Sequence, residues 1–234
     1  MRPLAAACTV LALAACAPPA PKNDTAGAAP AAAPAAPAAP IKVDAPAGAY
    51  TLDKSHASLS FRVNHLGFSR YTAEFNDFDA KLQFDPANPS ASSVEATVKP
   101  TSLELPHPPP GFTKELLGPN WLDAGKFAEI TFKSTAVEVT GANTARITGD
   151  FTLHGVTKPI TLNATFNGGY RGHQMDPHAR IGFSADGKFK RSDFGVAYGV
   201  PAPGTTLGVG DEVEVMIEAE FSGPALAAPA KPAA

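Results

Sequence analysis

The stretch Glu212-Val213-Glu214-Val215-Met216-Ile217-Glu218-Ala219-Glu220-Phe221 alternates apolar and polar side chains, with Met216 taking a place among the glutamates. Successive side chains of a strand point to opposite faces. The stretch therefore reads as a β-strand with Val213, Val215, Ile217, Ala219 and Phe221 on a dry face and the acids on a wet one.

The same period recurs up the chain. Leu59, Phe61 and Val63 alternate with serine and arginine; Phe78, Ala80, Leu82 and Phe84 with Asp79, Lys81 and Gln83; Val94, Ala96 and Val98 with Glu95 and Thr97. Further on come Ile130 with Phe132; Ile147, Gly149, Phe151 and Leu153; Ile160, Leu162, Ala164 and Phe166; and Ile181 with Phe183, leading towards Phe189. With the opening stretch these make eight strands. Turn chemistry marks breaks at Asp85-Pro86-Ala87-Asn88-Pro89, Gly141-Ala142-Asn143, His154-Gly155, Asn167-Gly168-Gly169 and Ala185-Asp186-Gly187. Links this short make neighbouring strands antiparallel.

Between Pro106 and Phe127 the period lapses. Phe112–Leu117 and Trp121–Phe127 are expected to form one or two short helical turns that cap a barrel mouth. Amphipathic strands without intervening crossover helices indicate an all-β sandwich or barrel. Closure removes the exposed sheet edges, so the expected fold is an eight-stranded antiparallel β-barrel.

Both ends differ from this middle. Met1-Arg2 and the apolar run Leu4–Leu13 lead into Leu13-Ala14-Ala15-Cys16, the form of a lipoprotein signal peptide (residues 1–15) with Cys16 as the lipidated residue. The run is too short for a membrane-spanning helix. Ala17 after the cysteine resembles the pattern of lipoproteins sent to the outer membrane, so the expected location is the periplasmic side of the envelope, anchored by lipid. Residues 16–49 are dominated by alanine and proline and read as an extended tether, the folded domain is expected over 50–223, and 224–234 form an Ala/Pro tail.

Both cysteines, Cys8 and Cys16, fall in the signal region, so the domain has no disulfide and no thiolate metal site. The net charge is −3 with no Lys/Arg block, which argues against a nucleic-acid partner. No G-x-S-x-G elbow and no glycine-rich phosphate loop is present. Asp53, Ser55 and His56 are too close in sequence to assume triad geometry, and His173, Asp176 and His178 make only a weak metal-like spacing in a loop. Neither enzyme chemistry nor a metal or other cofactor is expected.

The inward faces supply Leu59, Phe61, Val63, Phe78, Leu82, Phe84, Phe132, Ile147, Phe151, Leu162, Phe166, Phe183, Phe189, Val215 and Ile217. These side chains either line a lumen open to an apolar ligand or fill the barrel as a core, and the pattern allows both. Polar candidates at the mouth are His56, His65, Arg191, Ser192 and Asp193. An arginine fork suits a phosphate or carbonyl oxygen, but an Arg-Asp pair also organises a turn before Phe194-Gly195.

Three ordered motifs carry a resemblance: Tyr50-Thr51-Leu52-Asp53 with Ser55–Phe61 and His65-Leu66-Gly67; Gly149-Asp150-Phe151-Thr152-Leu153-His154-Gly155-Val156-Thr157-Lys158-Pro159; and Lys190-Arg191-Ser192-Asp193-Phe194-Gly195 followed by Val209–Val213. They are similar to the YceI-like family of exported bacterial proteins, polyisoprenoid-binding and lipocalin-like. The resemblance implies an eight-stranded lipocalin-like barrel holding a polyisoprenoid or fatty-acid-like chain, an apolar small-molecule partner; the membrane is expected as a partner through the lipid anchor at Cys16. The other reading is a structural, stress-related envelope scaffold with a filled barrel and a protein partner. Association of two barrels into a homodimer is open on either reading.

Overall fold

The computed structural model describes residues 40, 41 and 43–226. The expected signal peptide (residues 1–15), Cys16, most of the expected tether and residues 227–234 lie outside the described residues. Ten strand segments run in order: β1 (Gly48–His65), β2 (Ser69–Phe75), β3 (Phe78–Phe84), β4 (Ser93–Val98), β5 (Leu103–Glu104), β6 (Ile130–Val139), β7 (Thr144–Leu153), β8 (Val156–Tyr170), β9 (His178–Lys190) and β10 (Val209–Ala225). A short helix, α1 (Phe112–Leu116), precedes β6.

The segments assemble as eight wall strands. β1 pairs along one edge with both β2 (Ser60↔Glu74) and β3 (Thr51↔Lys81), so β2 and β3 are one bent strand broken at Asn76 and Asp77. β5 pairs with β2 as β4 pairs with β3, and prolongs β4 in the same way. From there β6, β7, β8, β9 and β10 follow in chain order, and β10 returns to β1 from Thr51↔Ser222 to His65↔Val209. The β10–β1 pairing closes the sheet into an antiparallel barrel.

The opening stretch behaves as its period requires. Val213, Ala219 and Phe221 are buried, while Glu212 and Glu214 face outward to Lys188 (2.9 Å) and Arg70 (3.2 Å). His154 and Gly155 make a two-residue hairpin with φ of 52° and 74°, the twist that suits antiparallel strands.

Two expected breaks do not occur. Asn167-Gly168-Gly169 lies inside β8, where a bulge between Phe166 and Gly168 absorbs the extra residue. Ala185-Asp186-Gly187 lies inside β9; a Cβ at Gly187 would meet Leu162 Cδ2 at 2.6 Å, so this glycine permits close strand packing and not a turn. Residues 121–127 form turns and no helix.

The domain also starts and stops beyond its expected limits. Ala45 is buried with Tyr50, whose hydroxyl donates to the Pro46 carbonyl at 2.7 Å, and Arg171 pairs with Asp44. Pro224 and Ala225 belong to β10, and the Leu226 amide donates to Pro177 O at 2.7 Å. This end of the barrel is plugged by rings: Tyr50 and Phe84 (5.8 Å between centroids), Phe84 and Phe166 (6.0 Å), Phe166 and Phe183 (5.4 Å), and Phe183 and Phe221 (6.1 Å).

Candidate functional site in the barrel lumen

A cavity of about 560 Å³ runs along the barrel axis, a volume ordinary for a small-molecule site. Its wall begins at Leu52 and Phe221 above the aromatic plug and ends at His65, Tyr71 and Val209 at the far end. Leu59, Phe61, Val63, Phe78, Leu82, Phe132, Ile147, Phe151, Leu162, Phe183, Phe189, Val215 and Ile217 all face it. Phe84 and Phe166 do not. They stack on each other inside the plug, because their strands place them at the end where Ala45 and Tyr50 pack.

Small inward residues keep the lumen wide. Ala164 on β8 sits opposite Ala185 on β9, which in turn faces Ile217 on β10, and all three line the cavity. Over the far end lies the irregular stretch, from which Phe112, Leu116, Trp121 and Leu122 turn inward. Phe112 and Leu116 stand one helical turn apart, and that spacing is the sequence signal that identifies them as a face. Tyr71 and Phe75, and Leu103 and Leu105, also line the wall at the two-residue period of a strand, in runs too short to stand out in the sequence, and Val196 joins them from the loop after β9.

The polar candidates separate. His65 and Arg191 line the cavity. Ser192 gives its amide and hydroxyl to Asp211 (2.9 and 2.8 Å), and Asp193 points outward towards Lys158 at 3.7 Å. Residues Arg191–Phe194 are a 3₁₀ turn ended by Gly195 at φ 80°, so the motif shapes the chain at the mouth. His56 lies on the outer wall, 3.1 Å from Asp53. There Asp53 also accepts from the Ser55 amide and from Arg180. The hydrogen bond from His56 is the main cause holding the Asp53 carboxyl down to about 2.

Arg191 is 4% exposed. Its Nε donates to Gly210 O (2.9 Å), Nη1 to Val196 O and Tyr198 O (2.8 Å each) and Nη2 to Val209 O (2.7 Å), which ties the loop after β9 to the start of β10. Burial lowers its pKa, partly offset by the charge of Asp211. The guanidinium lies 5.1 Å from the Trp121 ring.

His154 packs against Phe127 (4.6 Å) outside the cavity wall. His173, Asp176 and His178 do not converge. Asp176 accepts from Tyr170 and Arg180, while His178 Nδ1 contacts Gly223 O. Among the described residues no group of three or more His, Cys, Asp or Glu is placed to hold a metal.

A barrel of this wall order around an apolar lumen, with these motifs at its hairpins, matches a known domain. The model for the YceI-like domain matches residues 50–221. The chain belongs to the YceI-like family. A UPF0312 protein of Pseudomonas savastanoi pv. phaseolicola is 41% identical over 156 residues, covering 65% of this chain and 78% of its own. One from Pseudomonas putida is 40% identical over 174 residues, covering 73% and 87%.

Among solved structures, BcnA of Burkholderia cenocepacia superposes with a TM-score of 0.60 at 25% identity, covering 72% of this chain and 98% of its own. The YCEI protein of Campylobacter jejuni gives 0.58 at 31% identity, covering 68% and 89%. A polyisoprenoid binding domain from Saccharophagus degradans shares the fold alone, with a TM-score of 0.54 at 13% identity over 75% of this chain and 98% of its own.

Proposed function

We propose that this YceI-like protein is a non-catalytic carrier that holds one long-chain amphiphile, isoprenoid or fatty, with its tail in the barrel lumen. The observation that carries this reading is the cavity itself. Side chains that a filled barrel would use as core stand around an axial space of about 560 Å³, closed by rings at one end and roofed by α1 and Trp121 at the other. An apolar tail entering it gains roughly 25 cal/mol for each Å² removed from water. The relative from Saccharophagus degradans is described as polyisoprenoid binding, and the same ligand class is our proposal for this chain.

The proposal extends to place: Cys16 carries the lipid, the Ala/Pro segment is the tether, and the barrel works in the periplasm beside the outer membrane. Native mass spectrometry of the full chain purified from its own envelope, followed by lipid extraction, is expected to show one long-chain molecule per barrel. Protein that carries none, and that takes up none from added lipid, would refute the reading. Cys16→Ser is expected to release the protein from the membrane fraction and to leave lipid uptake unchanged.

A further inference from the structure

The polar side chains of the lumen wall gather at its far end, where Arg191 stands with His65, Tyr71 and Trp121. All the partners of Arg191 are neutral backbone carbonyls, and together they occupy four of the five N–H groups of a guanidinium. Asp211, the acid whose charge reaches it, binds Ser192 with both oxygens. A permanent cation is thus held at the edge of an apolar cavity without an ion-pair partner of its own. Beside it, Trp121 Nε1 is buried and has no acceptor. An indole N–H is a donor only, and a buried donor left unpaired is costly. Both residues line the cavity, and the ring and guanidinium are 5.1 Å apart.

We propose that Trp121 Nε1 and the remaining N–H of Arg191 form the head-group site of the lumen, and that the head group it takes is an anionic oxygen, phosphate or carboxylate. The inference rests on the lipid-binding reading above and adds the chemical class of the ligand. In a low-dielectric wall an anion recovers the desolvation of the arginine, and its oxygen satisfies the indole. An ammonium head group meets like charge and finds no acceptor at either residue. The site lies at the far end from the aromatic plug, near Val209 and Val196, so the tail points inward towards Leu82 and Phe221.

The test uses the full chain and the neutral dye N-phenyl-1-naphthylamine as a lumen reporter, displaced by hexadecyl phosphate, hexadecanoate or hexadecylamine. One or both anions are expected to bind at least tenfold more tightly than the amine of the same chain. Trp121→Phe keeps a ring over Arg191 and removes the N–H; it is expected to weaken the preferred anion about tenfold more than it weakens the neutral dye, the two being measured on the same protein. Whichever anion is preferred names the source, a phospho-lipid or a fatty acid.

Equal displacement by anions and amine overturns the proposal, and this comparison needs no substitution. Unchanged anion affinity in a folded Trp121→Phe protein overturns it as well. A dye and chains that never enter the lumen would bring down the lipid-binding reading and the proposal together. A dye that enters, with no advantage for anions, removes only the head-group site.

Discussion

Ala185→Phe tests whether the space in the barrel is where the ligand tail lies. Ala185 faces the cavity from β9, between Ala164 on β8 and Ile217 on β10, at a level where two alanines in register leave the lumen wide. A phenyl ring placed there occupies the volume of about three or four methylenes of a bound chain, each worth ~0.8 kcal/mol of burial, or ~3 kcal/mol in total. At 1.4 kcal/mol per tenfold, affinity for hexadecanoate should fall roughly a hundredfold. The ring enters empty space and displaces no side-chain contact of the plug, so the thermal midpoint should hold or rise. Dye displacement and a melt on the same sample read both quantities. A folded Ala185→Phe protein that binds as tightly as the parent would refute the assignment of the tail to this lumen.

Three further outcomes follow from the same structure. Phe84→Ala removes the ring that touches Tyr50, Phe166 and Phe183; it should cost about 3–5 kcal/mol, read as a loss of roughly 6–20 °C in calorimetry, and an unchanged midpoint would show that the plug is not a structural core. Gly223→Ala would drive a Cβ into the Tyr50 ring, and Tyr50 is 1% exposed, so the overpacked end should lose about 1–3 kcal/mol in denaturant titration. Asp53 has its carboxyl lowered from 3.8 to about 2, chiefly by His56; its contribution is therefore complete above pH 3.8 and lost as pH falls to about 2. Asp53→Asn should accordingly melt below the parent near neutral pH and converge with it near pH 2, and a deficit equal at both pH values would contradict the assignment.

How far the fold could be read in advance depends on what each signal measures. Period-two alternation reports which face of a strand is dry, and it located the eight wall strands because nearly every inward residue of β1, β3, β6, β7 and β10 is apolar. It carries no information on length. Glycine is ambiguous in the same way: Gly155 makes a turn with φ 74°, whereas Gly187 sits in a continuous strand where Leu162 needs the room. Both look like breakers in sequence, and only the neighbouring strand separates them. The limits at Tyr50 and Gly223 leave out Ala45, which packs with the aromatic plug, and Ala225, which extends β10 opposite His178, because alanine and proline in a tether-like composition give no sign of either role.

The site was legible to a different depth. Most lumen residues follow from the alternation, but alternation is identical for an open and a filled barrel. Openness is decided by residue size across the lumen and by what roofs it: Ala164 against Ala185, and Phe112, Leu116 and Trp121 arriving from a segment with no strand period. The polar pole is legible least of all, because the meaning of Arg191 lies in its partners. In sequence it stands between Lys190 and Ser192-Asp193 and reads as half of an Arg-Asp pair, yet Asp193 turns outward to Lys158 and the guanidinium turns inward to four carbonyls. A cation that closes a turn with neutral carbonyl acceptors fixes the mouth of the barrel, with its charge only partly offset by Asp211. The same residue thereby shapes the opening and gives the apolar cavity one polar end.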